Sequence, residues 1–215
     1  MSSSRSESLT GTLRTAFPEY AEPPAQPLGL LREWLDEATR LGVREPRALA
    51  LATADARGRT SSRTVVLNQV TDEGLVFASH AGSRKGREIA ANPWASGVLY
   101  WRESSRQIAV AGPARPLPAA DSDALWQARP VFTHAMTTAS RQSEPLRDLA
   151  HAEELRARAQ GLAAPEAPLP RPASYVGFLL VPESVEFWAD GADRLHERLR
   201  YERGADGWEV TRLQP

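Results

Sequence analysis

The sequence predicts a mainly β fold of the α+β class, in which an antiparallel barrel is flanked by helices. Roughly seven to nine short runs have the residue alternation and the Gly, Asp or Pro turn signals of β-strands. Most of these runs follow one another without a crossover helix, which a parallel sheet would require. At 215 residues the chain is long enough for one domain with a substantial core.

The N-terminal part of the sequence predicts an arm and then a helix. Residues 1–26 are polar and then rich in proline, so we expect a flexible N-terminal arm there and a single domain over residues 27–215. From Pro27 to Leu41 apolar residues recur at helical spacing, and Gly42 follows as a residue typical of the position after a helix end. This segment predicts an amphipathic helix.

Beyond residue 47 the spacing of the apolar residues becomes that of strands, interrupted by helices. The predicted strands cover residues 48–53, 62–67, 75–79, 95–101, 107–111, 175–181, 185–188, 195–201 and 208–213. The predicted helices cover residues 83–92, 119–129 and 144–160. Prolines between residues 165 and 172 predict a stiff connection from the last helix back to the strands.

The composition argues against several classes of protein. With 26 Lys and Arg against 27 Asp and Glu, the chain has no bulk attraction to nucleic acid or to a membrane surface. Without cysteine it cannot form disulfides, zinc–thiolate sites or iron–sulfur clusters, and it has no cysteine nucleophile. The histidine spacing predicts no metal site, and Rossmann and α/β-hydrolase motifs are missing. With neither a leader nor a membrane span in the sequence, we expect a cytoplasmic protein.

The strongest candidate site in the sequence is the start of the helix predicted over 83–92. Ser83 can cap this helix, and the free N–H groups and the dipole at a helix start favour an anion. Arg84 and Lys85, the only lysine of the chain, add two cations that are unfavourable in the first turn unless a negative group binds. The pattern suits a phosphate, although it is not a P-loop, and a solvated basic turn remains the alternative.

Two other basic features also indicate an anion. Arg63 shares a strand face with Val65 and Leu67, so its charge needs a partner, either a ligand or a carboxylate of the chain. Read with a period of two, the segment 194–201 places four basic side chains on one strand face: Arg194, His196, Arg198 and Arg200. Read as a helix, the same segment has solvated arginines. Trp188, shortly before it, either stacks on a planar ligand or fills the core.

In chain order, six short stretches resemble the pyridoxamine 5′-phosphate oxidase family: Arg63-Thr-Val-Val-Leu67, Ser83-Arg-Lys85, Arg106-Gln107, Arg141-Gln-Ser143, Glu186-Phe-Trp188 and Arg194-Leu-His-Glu-Arg198. Each stretch is weakly specific alone, but their order is specific, and the match runs from about Pro27 to Pro215. The resemblance implies a split-barrel homodimer that binds FMN at the subunit interface. It also implies oxidase chemistry, in which O2 reoxidises the flavin and hydrogen peroxide is formed.

The resemblance also implies roles for individual residues. Arg63, Arg84 and Lys85 would hold the FMN phosphate. The chain or ring of FMN would be lined by Thr64, Val65, Val66, Ala78 and Ser79. The site would be completed, largely from the other subunit, by Gln107, Gln142, Ser143, Trp188 and Arg198. Arg194 and His196 match the pair that contacts substrate over the flavin and would be catalytic.

Departures from the family pattern concern the substrate. The family places a Lys at the end of the first motif and a Tyr, an Arg and a Ser near residues 125–133. The residues at these places are Asn68, Leu125, Arg129 and Thr133. Losing a cation and a hydroxyl should weaken the binding of a dianionic phosphate, since each charge-assisted bond contributes about 1.5–3 kcal/mol. We therefore expect a flat acid without a phosphate as the substrate.

Stretches such as Arg44–Thr53 and Pro93–Arg102 are most similar to the branch of the family found in phenazine biosynthesis. This similarity implies that a di-, tetra- or hexahydrophenazine carboxylic acid is oxidised toward the aromatic phenazine. Asn68, Arg129, Thr133, Arg194 and His196 would then line the substrate site. Three alternatives stay open: oxidation of pyridoxine or pyridoxamine 5′-phosphate, a flavin-binding carrier or sensor, and RNA binding by arginine-rich strands, which the balanced charge disfavours.

Overall fold

A computed structural model of the chain, which describes residues 11–163, 167–191 and 195–215, contains nine strands and five helices in these residues. The strands are β1 (Ala48–Ala54), β2 (Thr60–Val70), β3 (Leu75–His80), β4 (Trp94–Trp101), β5 (Arg106–Pro116), β6 (Tyr175–Leu180), β7 (Ser184–Ala189), β8 (Glu197–Gly204) and β9 (Gly207–Arg212). The helices are α1 (Pro27–Arg40), α2 (Arg84–Ala91), α3 (Ala119–Gln127), α4 (His134–Ala139) and α5 (Leu149–Ala163). Single 3₁₀ turns cover Pro18–Tyr20 and Val131–Thr133.

Six of the strands close an antiparallel barrel. They are hydrogen bonded in the order β4-β1-β2-β3-β6-β5, and pairing of β5 with β4 closes the ring. β5 can serve several partners because it is long: its residues 106–113 pair with β4, and its residues 114–116 pair with β6. Closure leaves the ring without an unpaired edge. The predicted antiparallel split barrel with flanking helices is confirmed.

The remaining strands extend the sheet beyond the barrel. β7 pairs with residues 106–111 of β5, and β8 and β9 follow as successive antiparallel neighbours. The segment predicted as strand over 195–201 thus forms β8 from Glu197 onward, and its helical interpretation is wrong. In the described part of the chain, no helix is long and apolar enough to cross a membrane.

Helix α1 packs its apolar face into the main hydrophobic core. Its apolar residues recur on one face as predicted, and Pro27 begins it because the fixed φ of proline suits a first helical turn. The Trp34 ring packs edge-on against the Phe187 ring of β7, with 5.2 Å between centroids. This contact joins the helix to the extension of the sheet.

The arm predicted over residues 1–26 is not loose throughout, because residues 16–24 pack on the domain. Phe17 is only 7% exposed, and its ring centroid lies 4.7 Å from that of Trp34. The buried Arg106 guanidinium pairs with Glu37 and donates a hydrogen bond to the carbonyl of Ala16. The sequence did not predict this packing, because the segment is rich in proline and a single aromatic residue such as Phe17 produces no periodic pattern. Residues 1–10 lie outside the described residues.

We expect replacement of Phe17 by alanine to destabilise the protein substantially. Truncating a buried phenylalanine removes apolar contacts and leaves a cavity, which costs about 3–5 kcal/mol. Urea unfolding at a fixed protein concentration measures the loss, with Glu22→Ala in the exposed part of the same segment as the control. Equal unfolding midpoints for the two variants would show that the segment does not contribute to the fold.

Two helices differ from the sequence prediction. α5 begins at Leu149 rather than at residue 144, because the Asp148 carboxylate accepts a hydrogen bond from the backbone N–H of His151 at 2.7 Å and so caps the helix there. α4 was not predicted, because its six residues span less than two turns and show no helical period. The other predicted helices and strands agree within three residues at their ends, except that β5 continues five residues beyond the predicted end at residue 111.

Candidate functional site

A cavity of about 700 Å³ opens beside the start of α2, a volume typical of small-molecule sites. Its walls come from β2, β3, the start of α2, the segments around residues 130 and 142, and the first residue of β6. The lining residues are Ser61, Ser62, Arg63, Thr64, Val65, Val66, Asn68, Ala78, Ser79, Arg84, Lys85, Arg129, Pro130, Thr133, Gln142, Ser143 and Tyr175. Most of the residues that the sequence assigned to cofactor or substrate therefore meet in one place.

Helix α2 presents its N-terminus to this cavity. Ser83 caps the helix as predicted, with its hydroxyl accepting a hydrogen bond from the Gly86 N–H at 3.2 Å. Gly86 is required for the close packing of this turn, since a Cβ there would lie 2.2 Å from the carbonyl oxygen of Ala81. The cap and the glycine thus hold the first turn of α2 against the end of β3.

Arg63 lines the cavity and also has an internal partner. Its Nη2 lies 3.2 Å from the Glu88 carboxylate, and its Nη1 donates to the Thr53 hydroxyl at 2.6 Å. The carboxylate alternative for Arg63 is therefore confirmed. The guanidinium still forms part of the cavity wall, so the ion pair does not exclude a ligand.

Lys85 is buried beside the cavity and is held by neutral groups. Its ammonium donates to the Ser79 hydroxyl at 3.0 Å and to the Gln142 side-chain oxygen at 3.1 Å. Within the described residues no carboxylate lies within 4.0 Å of it. Burial, followed by the charge of Arg63, lowers the pKa of Lys85, while Glu88 acts in the opposite direction. A buried cation with only neutral partners favours an anion in the adjoining space.

Arg84 completes the basic end of the cavity. Its Nε donates to Glu88 at 2.9 Å, and its backbone N–H donates to the Ser143 hydroxyl at 3.1 Å. Together with Arg63 and Lys85 it supplies three positive charges, of which the single carboxylate of Glu88 offsets one. The local excess of two positive charges matches a phosphate monoester, which carries nearly two negative charges at neutral pH.

Arg129 lies in another part of the cavity wall, which is otherwise formed by aromatic and hydroxyl groups. Its guanidinium lies 5.0 Å from the centre of the Tyr175 ring, and its Nε donates to the Thr133 hydroxyl at 3.2 Å. Burial raises the pKa of Tyr175 and the charge of Arg129 opposes this, so the phenol stays neutral. A single arginine braced in this way suits a carboxylate.

Tyr175 is a cavity residue that the sequence analysis did not assign to the site, as are Ser61, Ser62 and Pro130. It is the first residue of β6 and pairs with His80, the last residue of β3, across the two strands. The only signal in the sequence that pointed to Tyr175 was its position directly after the proline-rich connection. Because the pairing of β3 with β6 could not be predicted, nothing in the sequence linked this tyrosine to Arg129.

Asn68 and Leu125, which stand where the family pattern has a lysine and a tyrosine, are placed differently. Asn68 lines the cavity at a point where the register of β2 against β3 shifts between Leu67 and Gln69. Such a bulge re-aims a side chain, which allows Asn68 to face the site. Leu125 instead packs in a buried apolar cluster and does not line the cavity.

His80 is a buried histidine at the end of β3, paired across the strands with the cavity residue Tyr175. Burial lowers the pKa of His80 below the ordinary value of 6.5, and the charges of Lys85 and Arg129 lower it further. The folded protein therefore binds a proton at this site more weakly than the unfolded chain does. Stability from this residue is fully present above the unfolded-state pKa and is lost as the pH falls from that value through the lower folded-state pKa.

We accordingly expect acid to destabilise the protein partly through His80. Thermal unfolding of the wild type and of His80→Gln, compared at about pH 7.5 and about pH 5.5, measures this contribution. The melting temperature of the wild type should fall more on acidification than that of the variant. The same decrease in both proteins would show that His80 does not couple stability to pH.

The remaining described residues of the predicted site form a second cluster outside this cavity. Gln107 of β5 lies opposite Trp188 of β7, which in turn lies opposite Arg198 of β8. The His196 ring lies 4.9 Å from the Trp188 ring. None of these four residues lines the cavity of the same chain, and Arg194 lies outside the described residues.

The second cluster is less basic than the sequence indicated. Glu186 of β7 binds Arg198 and Arg200 of β8, with nitrogen–oxygen distances of 2.7 and 2.8 Å. Asp190 lies 3.1 Å from the His196 ring nitrogen. The basic side chains of this strand face that the structure describes are therefore already paired with carboxylates. The sequence alone could not show this, because Glu186 lies on the neighbouring strand β7 and Asp190 follows that strand.

Apolar side chains are exposed next to both sets of residues. Val66 in the cavity wall is 63% exposed, Phe132 near Arg129 is 82% exposed, and Leu195 near His196 is 62% exposed. Exposed apolar side chains beside functional groups are typical of an interaction surface.

Among the described residues no group of three or more His, Asp or Glu side chains could hold a metal ion.

Two family models match the chain. Residues 35–189 match the model described as pyridoxamine 5′-phosphate oxidase. Residues 175–215 match the model described as the C-terminal dimerisation region of pyridoxine 5′-phosphate oxidase. The first model includes the cavity and Gln107, and the second includes β7 and β8 with Trp188, His196 and Arg198 of the second cluster.

The names of similar proteins refer to two different reactions. The chain is 56% identical to a dihydrophenazinedicarboxylate synthase of Pseudomonas chlororaphis, covering 98% of this chain and 93% of the relative. It is 51% identical to a protein of the same name from Burkholderia lata, covering 100% of both chains. A pyridoxine/pyridoxamine 5′-phosphate oxidase of Gluconobacter oxydans is 40% identical, covering 89% of this chain and 95% of the relative.

Solved structures share the fold. A crystal structure of PhzG from Burkholderia lata in complex with tetrahydrophenazine-1-carboxylic acid matches with a TM-score of 0.91 and 50% identity, covering 95% of this chain and 100% of that one. A pyridoxamine 5′-phosphate oxidase-related, FMN-binding protein from Nostoc punctiforme matches with a TM-score of 0.71. At 20% identity, covering 87% of this chain and 96% of that one, this second match concerns the fold alone.

Proposed function

The chain belongs to the pyridoxamine 5′-phosphate oxidase family, and on that premise we propose that it is an FMN-dependent oxidase of phenazine biosynthesis. It oxidises partly reduced phenazine carboxylic acids toward the aromatic phenazine, with O2 as the final acceptor and hydrogen peroxide as the second product. The similarity of more than half the residues to dihydrophenazinedicarboxylate synthase of Pseudomonas chlororaphis supports an enzyme of this pathway.

The observation that carries the proposal is the distribution of charge in the cavity. One part holds Arg63, Arg84 and Lys85 around a helix N-terminus, with two positive charges in excess. Another part holds the single guanidinium of Arg129 against aromatic rings. A cofactor with a phosphate and a flat substrate with a carboxylate would together satisfy both parts.

The residues present fit FMN. The buried Lys85, whose partners are neutral, would join Arg63 and Arg84 in holding the phosphate. The chain or ring would be lined by Thr64, Val65, Val66, Ala78 and Ser79. Gln142 and Ser143 contact Lys85 and Arg84 of the same chain, so we assign them to this half of the site. The chemistry that bound FMN supplies is two-electron oxidation, with hydride accepted from the substrate.

The second cluster would complete the site from another subunit. We propose a homodimer in which Gln107, Trp188 and Arg198 of one protomer face the cavity of its partner. The match of residues 175–215 to a dimerisation region supports this arrangement. It is also supported by the exposed apolar side chains beside both halves, such as Val66.

Arg129 would bind the substrate carboxylate, with Asn68 and Thr133 beside it in the cavity wall. Arg194 and His196 of the partner would orient the substrate over the flavin, and His196 or solvent would accept the N–H protons. Aromatisation releases energy, so placing the reduced ring beside the flavin supplies much of what catalysis requires. No strong base is needed in this scheme.

A second candidate is oxidation of pyridoxine or pyridoxamine 5′-phosphate. The relative from Gluconobacter oxydans, at 40% identity, is named after this reaction. Asn68 supplies no cation where the family pattern has a lysine. Leu125, at the place of the tyrosine, is buried in an apolar cluster. Because a second phosphate would have fewer charge-assisted partners, we expect poor turnover of the vitamer phosphates.

Oxygen uptake by the FMN-loaded protein tests the proposal, with reduced phenazine-1-carboxylate and pyridoxine 5′-phosphate compared side by side. We expect rapid uptake and peroxide formation with the phenazine substrate only. Comparable uptake with pyridoxine 5′-phosphate would favour the second candidate. Protein that binds FMN but consumes no oxygen with either substrate would indicate a flavin carrier or sensor. A protein that is colourless when purified and retains RNA would contradict flavin binding.

A further inference from the structure

We propose that Glu88 is a positioning residue for phosphate recognition, because its one carboxylate holds two arginines that come from separate elements. One oxygen lies 3.2 Å from the Arg63 guanidinium of β2, and the other accepts from the Arg84 guanidinium of α2 at 2.9 Å. Both arginines also line the cavity, whereas Glu88 does not. The inference rests on the proposed binding of FMN.

The carboxylate is itself fixed in place. The hydroxyl of Thr53 donates to it at 2.5 Å and the hydroxyl of Ser61 at 2.7 Å. The Glu88 side chain is only 6% exposed. Thr53 also accepts from Arg63, so β1, β2 and α2 are joined by one continuous network. Such a network allows few alternative positions for the guanidinium groups.

Glu88 is ionised at any pH at which the protein would work. Burial acts to raise its pKa, but hydrogen bonds from two hydroxyls and two guanidinium groups outweigh burial and hold the pKa at about 2. The carboxylate is therefore a permanent negative charge behind the basic wall. It cannot be a proton donor or acceptor in the reaction near neutral pH.

A buried anion at this position has two opposing effects on a bound phosphate. Its charge reduces the positive potential of the site, which weakens the attraction of the phosphate. Its hydrogen bonds keep Arg63 and Arg84 together although their charges repel, so that less ordering is required when the phosphate binds. Because four donors fix the carboxylate and each arginine has a defined contact with it, we infer that the second effect is the larger.

Lys85 provides an internal contrast. Its ammonium is held by Ser79 and Gln142 rather than by Glu88. A change at Glu88 should therefore release the two arginines and leave the lysine in place. Some affinity for the phosphate should persist, which makes a graded effect measurable.

The test compares the binding of FMN and riboflavin to the apoprotein by quenching of flavin fluorescence. The variants are Glu88→Gln, which removes the charge, and Glu88→Asp, which keeps the charge but is too short to reach both arginines. Glu33→Gln, at an exposed position on α1, is the matched control. We expect the Kd for FMN to rise at least tenfold in both variants and the Kd for riboflavin to stay within twofold, because riboflavin lacks the phosphate.

Thr53→Val is a milder variant that keeps the test usable if changes at Glu88 prevent folding. Thr53 does not line the cavity, so it can act on the ligand only through the network. We expect a smaller increase in the Kd for FMN, about threefold, and none for riboflavin. Melting temperatures of the apoproteins show which variants are folded.

Several results would overturn the inference. FMN affinity equal to or higher than that of the wild type in Glu88→Gln would show that the carboxylate acts only as an opposing charge. Equal losses for FMN and riboflavin would show a general role in the fold. A wild-type protein that binds FMN no better than riboflavin would overturn the proposed phosphate site, and this inference with it.

Discussion

Joint replacement of Arg84 and Lys85 by alanine is expected to abolish FMN retention in a protein that still folds. Each charge-assisted hydrogen bond contributes about 1.5–3 kcal/mol, so the loss of two cations should raise the Kd for FMN by at least about a hundredfold. Arg84 is largely exposed, and removal of Lys85 leaves Ser79 and Gln142 able to bind water. Dialysis followed by an absorption spectrum measures the loss of flavin.

Arg87→Ala is the matched control for this experiment. Arg87 is an exposed arginine of the same helix, and it does not line the cavity. Its replacement removes one positive charge close to the site but no expected phosphate contact. We therefore expect the control to retain flavin like the wild type. Full retention by the Arg84 and Lys85 double variant would reject their assignment to the phosphate.

Replacement of Arg129 by alanine is expected to reduce turnover of the phenazine substrate without loss of FMN. Arg129 lines the cavity without contacting Glu88, as Lys85 does, and its guanidinium lies over the Tyr175 ring. Losing one ion pair with a carboxylate should lower kcat/KM by about 10- to 150-fold. Oxygen uptake at varied substrate concentration measures the effect, and the flavin spectrum checks that the cofactor is retained.

The specificity of this effect can be tested with a reduced phenazine that has no carboxylate. The wild type and Arg129→Ala should oxidise this compound at similar rates, because the missing interaction cannot contribute. Arg129→Lys should recover only part of the activity toward the acid, since an ammonium lacks the planar pair of donors that a guanidinium offers. If Arg129→Ala lowered both rates equally, the arginine would not be recognising the carboxylate.

The parts of the fold that depend on local signals could be predicted from the sequence. The start of α2 was predicted because Ser83 is a strong cap and the apolar period changes there. Most strands were predicted because the alternation of apolar and polar residues along a strand involves only neighbouring positions in the sequence. An antiparallel barrel was expected as a class of fold. Its closure through β5, which is divided between several partners, depends on pairings far apart in the chain.

The candidate site shows the same division between local and distant information. Arg84 and Lys85 could be identified because cations are unusual in a first helical turn. Glu88 could not, because a glutamate four residues after Arg84 has the spacing of an ordinary exposed helix pair. Only the contacts with β1 and β2 show that it is buried, and only the pairing of β3 with β6 brings Tyr175 to Arg129.

A crystal structure of the protein grown with FMN and a reduced phenazine carboxylic acid would locate both ligands in one experiment. We expect the FMN phosphate within hydrogen-bonding distance of Arg63, Arg84 and Lys85. We also expect the carboxylate of the acid to be bound by Arg129. Flavin density away from the start of α2, or an acid whose carboxylate points away from Arg129, would show that the proposed assignment of the cavity is wrong.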